Sequence, residues 1–395
     1  MATVHLRAGH VQPVWAGHPW VFAQAVADVK GAPGAGDVVK VIDPEGKFLG
    51  SGFWSPKSAV PVRILCRTEG QALDDAWLGH QIERAALWRR DLLGLPGERT
   101  TGFRLVNAEG DDLAGLIVDV FDRVAVVQFL TYGMKLREGT ILGHIARVTG
   151  VESVIEVSPG KGSKAEGLEE ATRVVRGPEP ESLRFREAGF EFEIPRSLQQ
   201  KTGFYFDQRD NRTLVEEFAQ GRRVLDAFSY LGSFSLAAAR GGATEVLGLD
   251  RSVAAVTSAA AIAERNGLGG KVRFGRADLK KELPALAQQK ERFGLVVIDP
   301  PKLAPTNRHL SAGRRAYRRL NANAMRLVEP GGILVTCSCS GALRPSAFMR
   351  VIGTAARDAD RRVTLLRMGE QGADHPSPVA FSEGRYLKAA FLRVD

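Results

Sequence analysis

Cysteine is scarce in this sequence of 395 residues. Its three cysteines, Cys66, Cys337 and Cys339, are too few for a framework of disulfide bonds, and their number is odd. The seven histidines are scattered and no Cys-x-x-Cys pair occurs, so the sequence predicts no metal site. We therefore expect three free thiols and no bound metal.

Long hydrophobic runs are also missing. The longest apolar stretches, such as residues 294–298, have the length of a strand, and so does the run 224–228, which Asp226 interrupts, whereas a membrane helix needs ~20 apolar residues. The first ten residues are polar and basic without a following apolar segment, which argues against a secretion signal. We expect no membrane span and a cytoplasmic location.

Acidic residues are outnumbered by basic ones, 45 against 54, which gives a formal net charge of +9. A basic surface favours a polyanionic partner such as RNA, because Lys and Arg displace counterions from phosphates. Simple solubility is the alternative explanation for the positive net charge.

A chain of this length exceeds what one hydrophobic core usually organises, so we expect several domains.

The local pattern changes character twice and predicts three domains. Residues 1–70 contain short strands and turns, for example at 36–43, 48–53 and 60–65, and indicate a small β-barrel. Residues 71–190 indicate an α+β domain. Its predicted elements are helices at 82–93 and 139–147 and strands at 115–120, 124–129 and 153–157.

Residues 191–395 form the third predicted domain, in which strands and helices alternate from Gly221 onward. This alternation indicates an α/β fold with a doubly wound, parallel sheet, in which ligands bind beyond the carboxyl ends of the strands. The predicted strands are 224–228, 245–250, 272–275, 295–299 and 332–337, with helices beginning near Ser233, Ser252, Ser311 and Ser346.

Acidic residues lie at the ends of the first three of these strands. Asp226 precedes a tight turn containing Gly232, Asp250 can accept both ribose hydroxyls of an adenosine, and Asp278 can accept from the adenine amino group. A dinucleotide-binding turn would need Gly-x-Gly-x-x-Gly around a pyrophosphate, and this turn has only Gly232. The pattern therefore favours S-adenosylmethionine, which has no phosphate, as the cofactor.

The fourth strand ends in Asp299-Pro300-Pro301-Lys302, a rigid loop that projects Asp299 toward a planar base and is typical of methyltransferases. The fifth strand places Cys339 at its exit, while Cys337 and Cys66 are expected to be small buried residues. A thiolate added to carbon 6 of a pyrimidine activates carbon 5 for methylation. Lys302 or Arg209 would favour that thiolate.

The chain resembles, over nearly its whole length, the bacterial large-subunit ribosomal RNA methyltransferase I family, which makes 5-methylcytidine. The matching segments are His18-Pro19-Trp20-Val21-Phe22, Lys201 to Arg212, Phe228-Ser229-Tyr230, Asp299 to Lys302, Ser338-Cys339-Ser340-Gly341, Ala373-Asp374-His375-Pro376 and Tyr386-Leu387-Lys388.

The resemblance implies an N-terminal PUA domain, a central α+β domain and a C-terminal class I, Rossmann-like methyltransferase domain. It implies that Cys339 is the nucleophile and that Asp299 holds the target base. It also implies a cofactor pocket lined by Gln208, Arg209, Phe228, Ser229, Asp250 and Asp278, to which the strand ends add Asp226, Gly232 and Asp299.

Two departures accompany the resemblance. Where the family tends to show Thr-Gly-Gly-Phe, this chain has Leu231-Gly232-Ser233-Phe234. The loop after Asp299 offers Lys302 in place of the second cysteine of many RNA 5-methylcytosine enzymes. Another group must then take the carbon-5 proton. His375 is a candidate for this task, and capping a loop is the alternative role for this residue.

RNA-binding candidates follow the Asp299 loop. Besides Lys302, they are Arg314, Arg315, Arg318 and Arg319 on one helix face, for which a merely solvated surface is the alternative.

Two other functions stay open at this stage. One is methylation of a purine nitrogen in RNA, and the other is a PUA-containing RNA-binding factor without catalysis. The sequence also leaves open which cytosine is modified, whether the ribosomal RNA is free or in an assembly intermediate, and whether the chain forms a homodimer.

Overall fold

Short strands near the N-terminus form one six-stranded mixed sheet in the order β2-β6-β5-β4-β1-β3. They are β1 (Ala2–Leu6), β2 (Trp20–Val21), β3 (Val26–Lys30), β4 (Val38–Ile42), β5 (Phe48–Trp54) and β6 (Val62–Cys66), with helix α1 (Val11–Trp15) after β1. Alternation in β4 buries Val39 and Val41 completely, whereas Lys40 between them is only half-buried. The strands predicted from turn signals in this segment are confirmed.

A five-stranded sheet follows, in the order β11-β10-β9-β8-β7. Its elements are α2 (Asp75–Leu93), β7 (Gly102–Asn107), β8 (Leu116–Phe121), β9 (Val124–Phe129), α3 (Tyr132–Lys135), α4 (Glu138–Thr149), β10 (Ser153–Ser158) and β11 (Ala171–Arg176). Asp74 caps α2 by accepting from the Trp77 N–H at 2.9 Å, and the helix ends at Gly94 with φ +63°. Leu78 and Ile82 of α2 belong to the core of this sheet.

A separate hairpin, β12 (Ser182–Glu187) and β13 (Phe190–Pro195), carries an aromatic cluster. Phe185 and Phe192 stack with ring centroids 5.1 Å apart, and Phe204 and Phe206 pack against Phe185 at 4.9 and 5.4 Å. Both of the latter phenylalanines come from the segment between Lys201 and Arg212 that carries part of the family resemblance. Their contribution there is aromatic packing.

The remaining strands form a seven-stranded sheet in the order β16-β15-β14-β17-β18-β20-β19. The elements are α5 (Arg209–Phe218), β14 (Arg223–Ala227), α6 (Ser233–Arg240), β15 (Glu245–Asp250), α7 (Val253–Arg265), β16 (Val272–Arg276), α8 (Leu279–Gln288), β17 (Phe293–Ile298), α9 (Leu310–Leu327), β18 (Val328–Ser338), α10 (Pro345–Ala359), β19 (Val363–Gly369) and β20 (Lys388–Val394).

The five strands from β14 to β18 pair in parallel, as predicted. The sequence pattern did not predict α8 or the two last strands, and β20 runs antiparallel to both β18 and β19. The expectation of a wholly parallel sheet is corrected on this point. The α/β fold is confirmed, and the carboxyl ends of the parallel strands meet at one edge.

The structure describes residues 1–158, 164–198 and 202–395 of this computed structural model. They divide into two units, residues 1–206 with 373–384 and residues 207–372 with 385–395. The predicted boundaries near residues 70 and 190 stay predictions, and Lys201 lies outside the described residues. Within the described ranges, no helix is long and apolar enough to cross a membrane, and no group of three metal-ligating side chains occurs.

Candidate active site

Three neighbouring strands of the seven-stranded sheet place Phe228, Asp250 and Asp299 at the same level. In the ladder, Ala227 pairs with Leu249 on one side and with Ile298 on the other, so the next residue of each strand lies side by side with the others. The Phe228 N–H donates to the Leu249 carbonyl at 2.9 Å, and the Asp299 N–H donates to the Ala227 carbonyl at 3.3 Å. Three of the predicted site residues are thus brought together.

The turn between β14 and α6 has an unusual backbone. Phe228, Tyr230 and Gly232 have φ values of +70°, +49° and +73°, a region that residues with side chains rarely adopt. The Asp250 carboxylate accepts from the Tyr230 N–H at 3.1 Å and from the Ser252 N–H at 2.9 Å. These two hydrogen bonds of Asp250 stabilise the turn. Asp250 is partly exposed, so its carboxylate retains lone pairs that can accept from a ligand's hydroxyl groups.

Gly232 has two structural reasons to be glycine. Besides its positive φ, a Cβ at this position would lie 2.5 Å from the Phe274 ring. The sequence suggested a close approach of the backbone to a ligand. The structure adds packing as a second requirement, and the cofactor role of Gly232 stays a prediction.

Two buried polar atoms near this turn have no hydrogen-bond partner within the described residues: Ser229 Oγ and Asp226 Oδ1. The other oxygen of Asp226 accepts from the Ser235 hydroxyl at 2.6 Å, and burial raises the pKa of Asp226 to about 7. Such acceptors fit the ammonium and hydroxyl groups of S-adenosylmethionine. The residues present therefore suit this cofactor.

Asp278 lies farther along this edge and is exposed. It caps α8 by accepting from the Lys280 N–H at 3.1 Å. The Ala277 N–H next to it donates to the Asp250 carbonyl at 2.8 Å, which places the two predicted adenosine contacts on adjoining strands. Capping of α8 is a structural reason for an acidic residue at position 278. The contact of Asp278 with adenine stays a prediction.

A chain of amides leads to Asp299. Asn211 donates to the Glu370 carbonyl at 3.1 Å and to Gln208 Oε1 at 2.7 Å, which turns the amide nitrogen of Gln208 toward Asp299 Oδ2 at 3.0 Å. Gln208 was predicted in the cofactor pocket; it contacts Asp299 directly. Arg209, its predicted companion, is half-buried at the first position of α5.

Burial raises the pKa of Asp299 to about 7, and the negative charge of Asp207 acts in the same direction. The Gln208 hydrogen bond opposes this rise because it favours the carboxylate. Asp207 itself accepts from the Tyr386 hydroxyl at 2.6 Å. Asp299 is therefore a carboxyl group that changes its protonation state near neutral pH.

Cys339 follows the last residue of β18 and is partly exposed, whereas Cys337 is completely buried. Burial raises the pKa of the Cys337 thiol well above its ordinary value, so this thiol is unreactive at neutral pH. The expectation that Cys337 is buried and that Cys339 lies at the exit of the strand is confirmed. Cys66 was expected to be buried, but it is only half-buried at the end of β6, where Thr68 N–H donates to its sulfur at 3.4 Å.

The residues around Cys339 include three buried polar groups to which the sequence analysis assigned no role: Ser340, Tyr317 and Lys388. Ser340 Oγ accepts from the Ala304 N–H at 3.1 Å and lies 3.1 Å from the Tyr317 hydroxyl oxygen. The Lys388 ammonium donates to the carbonyls of Ser340 and Tyr386 at 2.8 and 2.7 Å. The sequence signal for Lys388 was a charged residue at the head of the apolar run from Ala389 to Leu392.

The basic helix face lies on α9, and its four arginines differ in their partners. Arg318 forms two hydrogen bonds with Asp358 of α10 at 2.5 and 2.6 Å, and Arg315 donates to Ser311 at 2.8 Å. Arg314 and Arg319 are exposed and make no ion pair among the residues that the structure describes, and Lys302 is exposed as well. The RNA contacts of all five residues stay predictions.

His375 belongs to the first unit and is buried there. Its Nδ1 lies 2.9 Å from Asp374 Oδ1, and the second carboxylate oxygen of Asp374 accepts from the Arg104 N–H at 3.0 Å. The carbonyl of Asp374 also accepts from the buried guanidinium of Arg89 at 2.8 Å. These contacts favour the loop-fixing role of His375 over proton transfer.

Comparisons with known proteins agree with the fold. A family model of S-adenosylmethionine-dependent methyltransferases matches residues 168–381, and a model of PUA-like domains matches residues 4–67. The predicted cofactor and N-terminal domain are thereby confirmed.

Two relatives, each called "Ribosomal RNA large subunit methyltransferase I", come from Pseudoalteromonas translucida and Shewanella denitrificans. They are 37% and 36% identical to this chain, cover 100% and 99% of it, and are themselves covered to 99%. The crystal structure of SMU.776, a candidate methyltransferase complexed with SAH, has a TM-score of 0.86 at 18% identity, with both chains covered to 100%, and shows the fold alone.

Proposed function

The chain belongs to the ribosomal RNA large subunit methyltransferase I family, and we propose that it methylates carbon 5 of a cytosine in large-subunit ribosomal RNA. That it is an S-adenosylmethionine-dependent methyltransferase follows from the matching family model. The ribosomal substrate rests on the names of its full-length relatives. The choice of carbon 5 rests on the chain's own residues.

The observation that carries this choice is the position of Asp299 and Cys339 at the ends of adjacent parallel strands. Ile298 of β17 pairs with Thr336 of β18, so Asp299 and Cys339 both leave the sheet at its carboxyl edge. Because Ile298 is level with Thr336, Cys339 stands two residues farther along its strand than Asp299, and a flat base laid along this edge suits contact with both side chains. Methylation of a purine nitrogen would need the carboxyl group but no thiol.

Cys339 supplies the nucleophile in this proposal. When bound, S-adenosylmethionine supplies an electrophilic methyl group. The Cys339 thiolate forms a bond with carbon 6 of the cytosine, and the electron pair of the 5,6 double bond makes carbon 5 nucleophilic. Methyl transfer to carbon 5 leaves SAH, and a water molecule from solvent, which reaches the partly exposed Cys339, takes the carbon-5 proton. The electron pair of that carbon–hydrogen bond re-forms the double bond, and the thiolate of Cys339 leaves carbon 6.

Asp299 binds the same base and assists this addition. Because its pKa is about 7, a large share of the molecules carry a proton on this carboxyl group at neutral pH. A protonated carboxyl donates one hydrogen bond, which can reach ring nitrogen 3 of cytosine and stabilise the electron density that the addition of sulfur brings into the ring. Gln208 holds Oδ2 and thereby fixes the orientation of the group.

The experiment is methyl transfer from labelled S-adenosylmethionine to large-subunit ribosomal RNA from cells that lack this gene, followed by digestion and identification of the labelled nucleoside. We expect 5-methylcytidine with the natural protein and none with Cys339→Ala, whose affinity for SAH should be unchanged in calorimetry. A labelled purine nucleoside would replace the proposal by nitrogen methylation. RNA binding without any transfer or SAH binding would leave a non-catalytic binding protein.

A further inference from the structure

Lys388 is a lysine in an unusual place: the first residue of β20, with only 2% of its surface exposed. A lysine is almost never buried to this extent without a partner for its charge, because removing an ammonium group from water is costly. The reaction proposed above assigns no role to this residue. Its burial therefore calls for an explanation from the groups around it.

The strand pairing places Lys388 beside the nucleophile. Lys388 is paired with Ser338 in the antiparallel ladder of β18 and β20, and its Nζ donates to the carbonyl of Ser340 at 2.8 Å. Cys339 is the residue between these two contacts. The ammonium group and the Cys339 side chain thus share the end of β18.

Neutral carbonyls take both of the hydrogen bonds described for the Lys388 ammonium, from Ser340 and Tyr386. Within the described residues, two groups affect the charge of Lys388: a thiolate at Cys339 would favour the ammonium form, and the charge of Lys302 opposes it. Burial lowers the pKa of Lys388 to about 8, so the ammonium form still predominates at pH 7. A negative charge on Cys339 would provide its counter-ion.

We propose that Lys388 is the positioning residue that keeps Cys339 ionised as a thiolate at neutral pH. This inference rests on the proposed function in taking Cys339 as the nucleophile. The sequence had suggested Lys302 or Arg209 for this task. Lys302 is exposed, and water and salt weaken the field of an exposed charge far more than that of a buried one.

Other titratable groups in this region act differently: the buried Arg212 is a second cation, and its charge lowers the pKa of Asp299. Tyr317 of α9 contacts Ser340, but burial raises its pKa, so it is a neutral phenol. Asp299 and Asp207 are acidic, and their charges raise the pKa of the Cys337 thiol, two positions before Cys339. The ammonium group of Lys388 has the opposite sign.

The test measures how fast iodoacetamide alkylates Cys339 between pH 5 and pH 10 in the full-length protein, without RNA or cofactor. The background variant is Cys66→Ser, because Cys66 is the other accessible thiol, and a further Cys339→Ala change gives the residual rate at Cys337. Tandem mass spectrometry of the peptide assigns the site. The thiolate is the reactive form, so the pH midpoint reports its ionisation.

In the background variant we expect a midpoint below the ordinary thiol value of about 8.5. Lys388→Gln can still donate a hydrogen bond to Ser340 but carries no charge; it should raise the midpoint by about one pH unit and slow alkylation at pH 7 about tenfold. Lys388→Arg should keep the low midpoint. SAH binding should stay the same in both variants.

An unchanged midpoint in Lys388→Gln would overturn the inference. If Lys388→Gln does not fold, the Cys66→Ser protein provides the test by itself. A pH midpoint of Cys339 alkylation at or above about 8.5 in that protein contradicts the inference. Alkylation needs no catalysis, so this result is independent of which nucleoside is methylated. Methyl transfer by Cys339→Ala would instead reject the proposed function.

Discussion

The side-chain amide of Gln208 donates a hydrogen bond to Asp299, with 3.0 Å between Nε2 and Oδ2. Asn211 occupies the carbonyl oxygen of the same amide, so Gln208 can offer only its nitrogen to the carboxyl group. This bond favours the ionised form of Asp299, while burial and Asp207 favour the protonated form. The protonation state of Asp299 at neutral pH depends on this balance.

Gln208→Met removes the donor at similar volume and should raise the pKa of Asp299 by about one unit, since a hydrogen bond to a charged group contributes about 1.5–3 kcal/mol. If the protonated carboxyl assists catalysis, the alkaline limb of the rate profile moves to higher pH. Single-turnover methyl transfer between pH 6 and pH 9 measures this. A limb that stays in place or moves to lower pH would show that Asp299 acts as a carboxylate.

Asp226 should make the protein less stable as the pH rises from 5 to 7. The pKa of this carboxyl group is about 7 in the folded protein, against an ordinary value of 3.8, so in this window the folded state binds more protons than the unfolded state. Asp226→Asn should reduce the slope of the unfolding free energy by up to about 1.4 kcal/mol per pH unit. Urea unfolding at several pH values measures the slope.

The exposed Asp278→Asn is the matched control and should leave the slope as it is. Asp299 has a raised pKa as well, so some slope should remain in Asp226→Asn. Equal slopes for the natural protein and Asp226→Asn would contradict the assignment of a protonated, buried carboxyl.

Gly232→Ala should lower the free energy of unfolding by about 1–3 kcal/mol, because the residue has φ +73° and its new Cβ would meet Phe274 at 2.5 Å. The turn that Gly232 caps holds proposed cofactor contacts, so the affinity for SAH should fall too.

Gly353→Ala is the control. Gly353 lies in α10, a Cβ added there would have nothing within 4 Å, and the substitution should stabilise the folded protein by about 0.5–1 kcal/mol. Thermal unfolding and calorimetry follow both changes. Equal effects of the two substitutions would refute this account of Gly232.

The arginines of α9 should contribute unequally to RNA binding. Arg314→Gln and Arg319→Gln should each reduce the slope of log affinity against log salt by about one, because each removes one phosphate contact. Arg318→Gln should change it less, since Asp358 already holds this side chain. Filter binding at several salt concentrations separates the three variants. The same small slope change in all three would indicate a solvated surface.

Sequence patterns predicted the parallel part of the fold closely, because each strand is a short apolar run followed by a polar residue at the site. The strands β15 and β9 have the bounds 245–250 and 124–129 that were expected. The strands β19 and β20 were missed because residues 370–387 separate them, which leaves no hairpin turn signal between two antiparallel partners.

In the candidate site too, some residues could be predicted from the strand pattern and others could not. Strand ends identified Asp250, Asp299 and Cys339, since the carboxyl edge of a parallel sheet is known once the strands are known. Asn211 and Lys388 act through tertiary neighbours: one orients Gln208, and the other lies beside Cys339 only because β20 inserts next to β18. Periodicity along the chain carries no information about such contacts.

The measurement that tests the central claim most directly uses RNA containing 5-fluorocytidine. Fluorine at carbon 5 cannot leave as a proton does, so the bond between Cys339 and carbon 6 should persist after methyl transfer. With the natural protein and S-adenosylmethionine we expect a stable protein–RNA adduct whose mass maps to Cys339, and none with Cys339→Ala. Efficient methylation of ordinary RNA without any such adduct, or an adduct that forms equally with Cys339→Ala, would contradict the account.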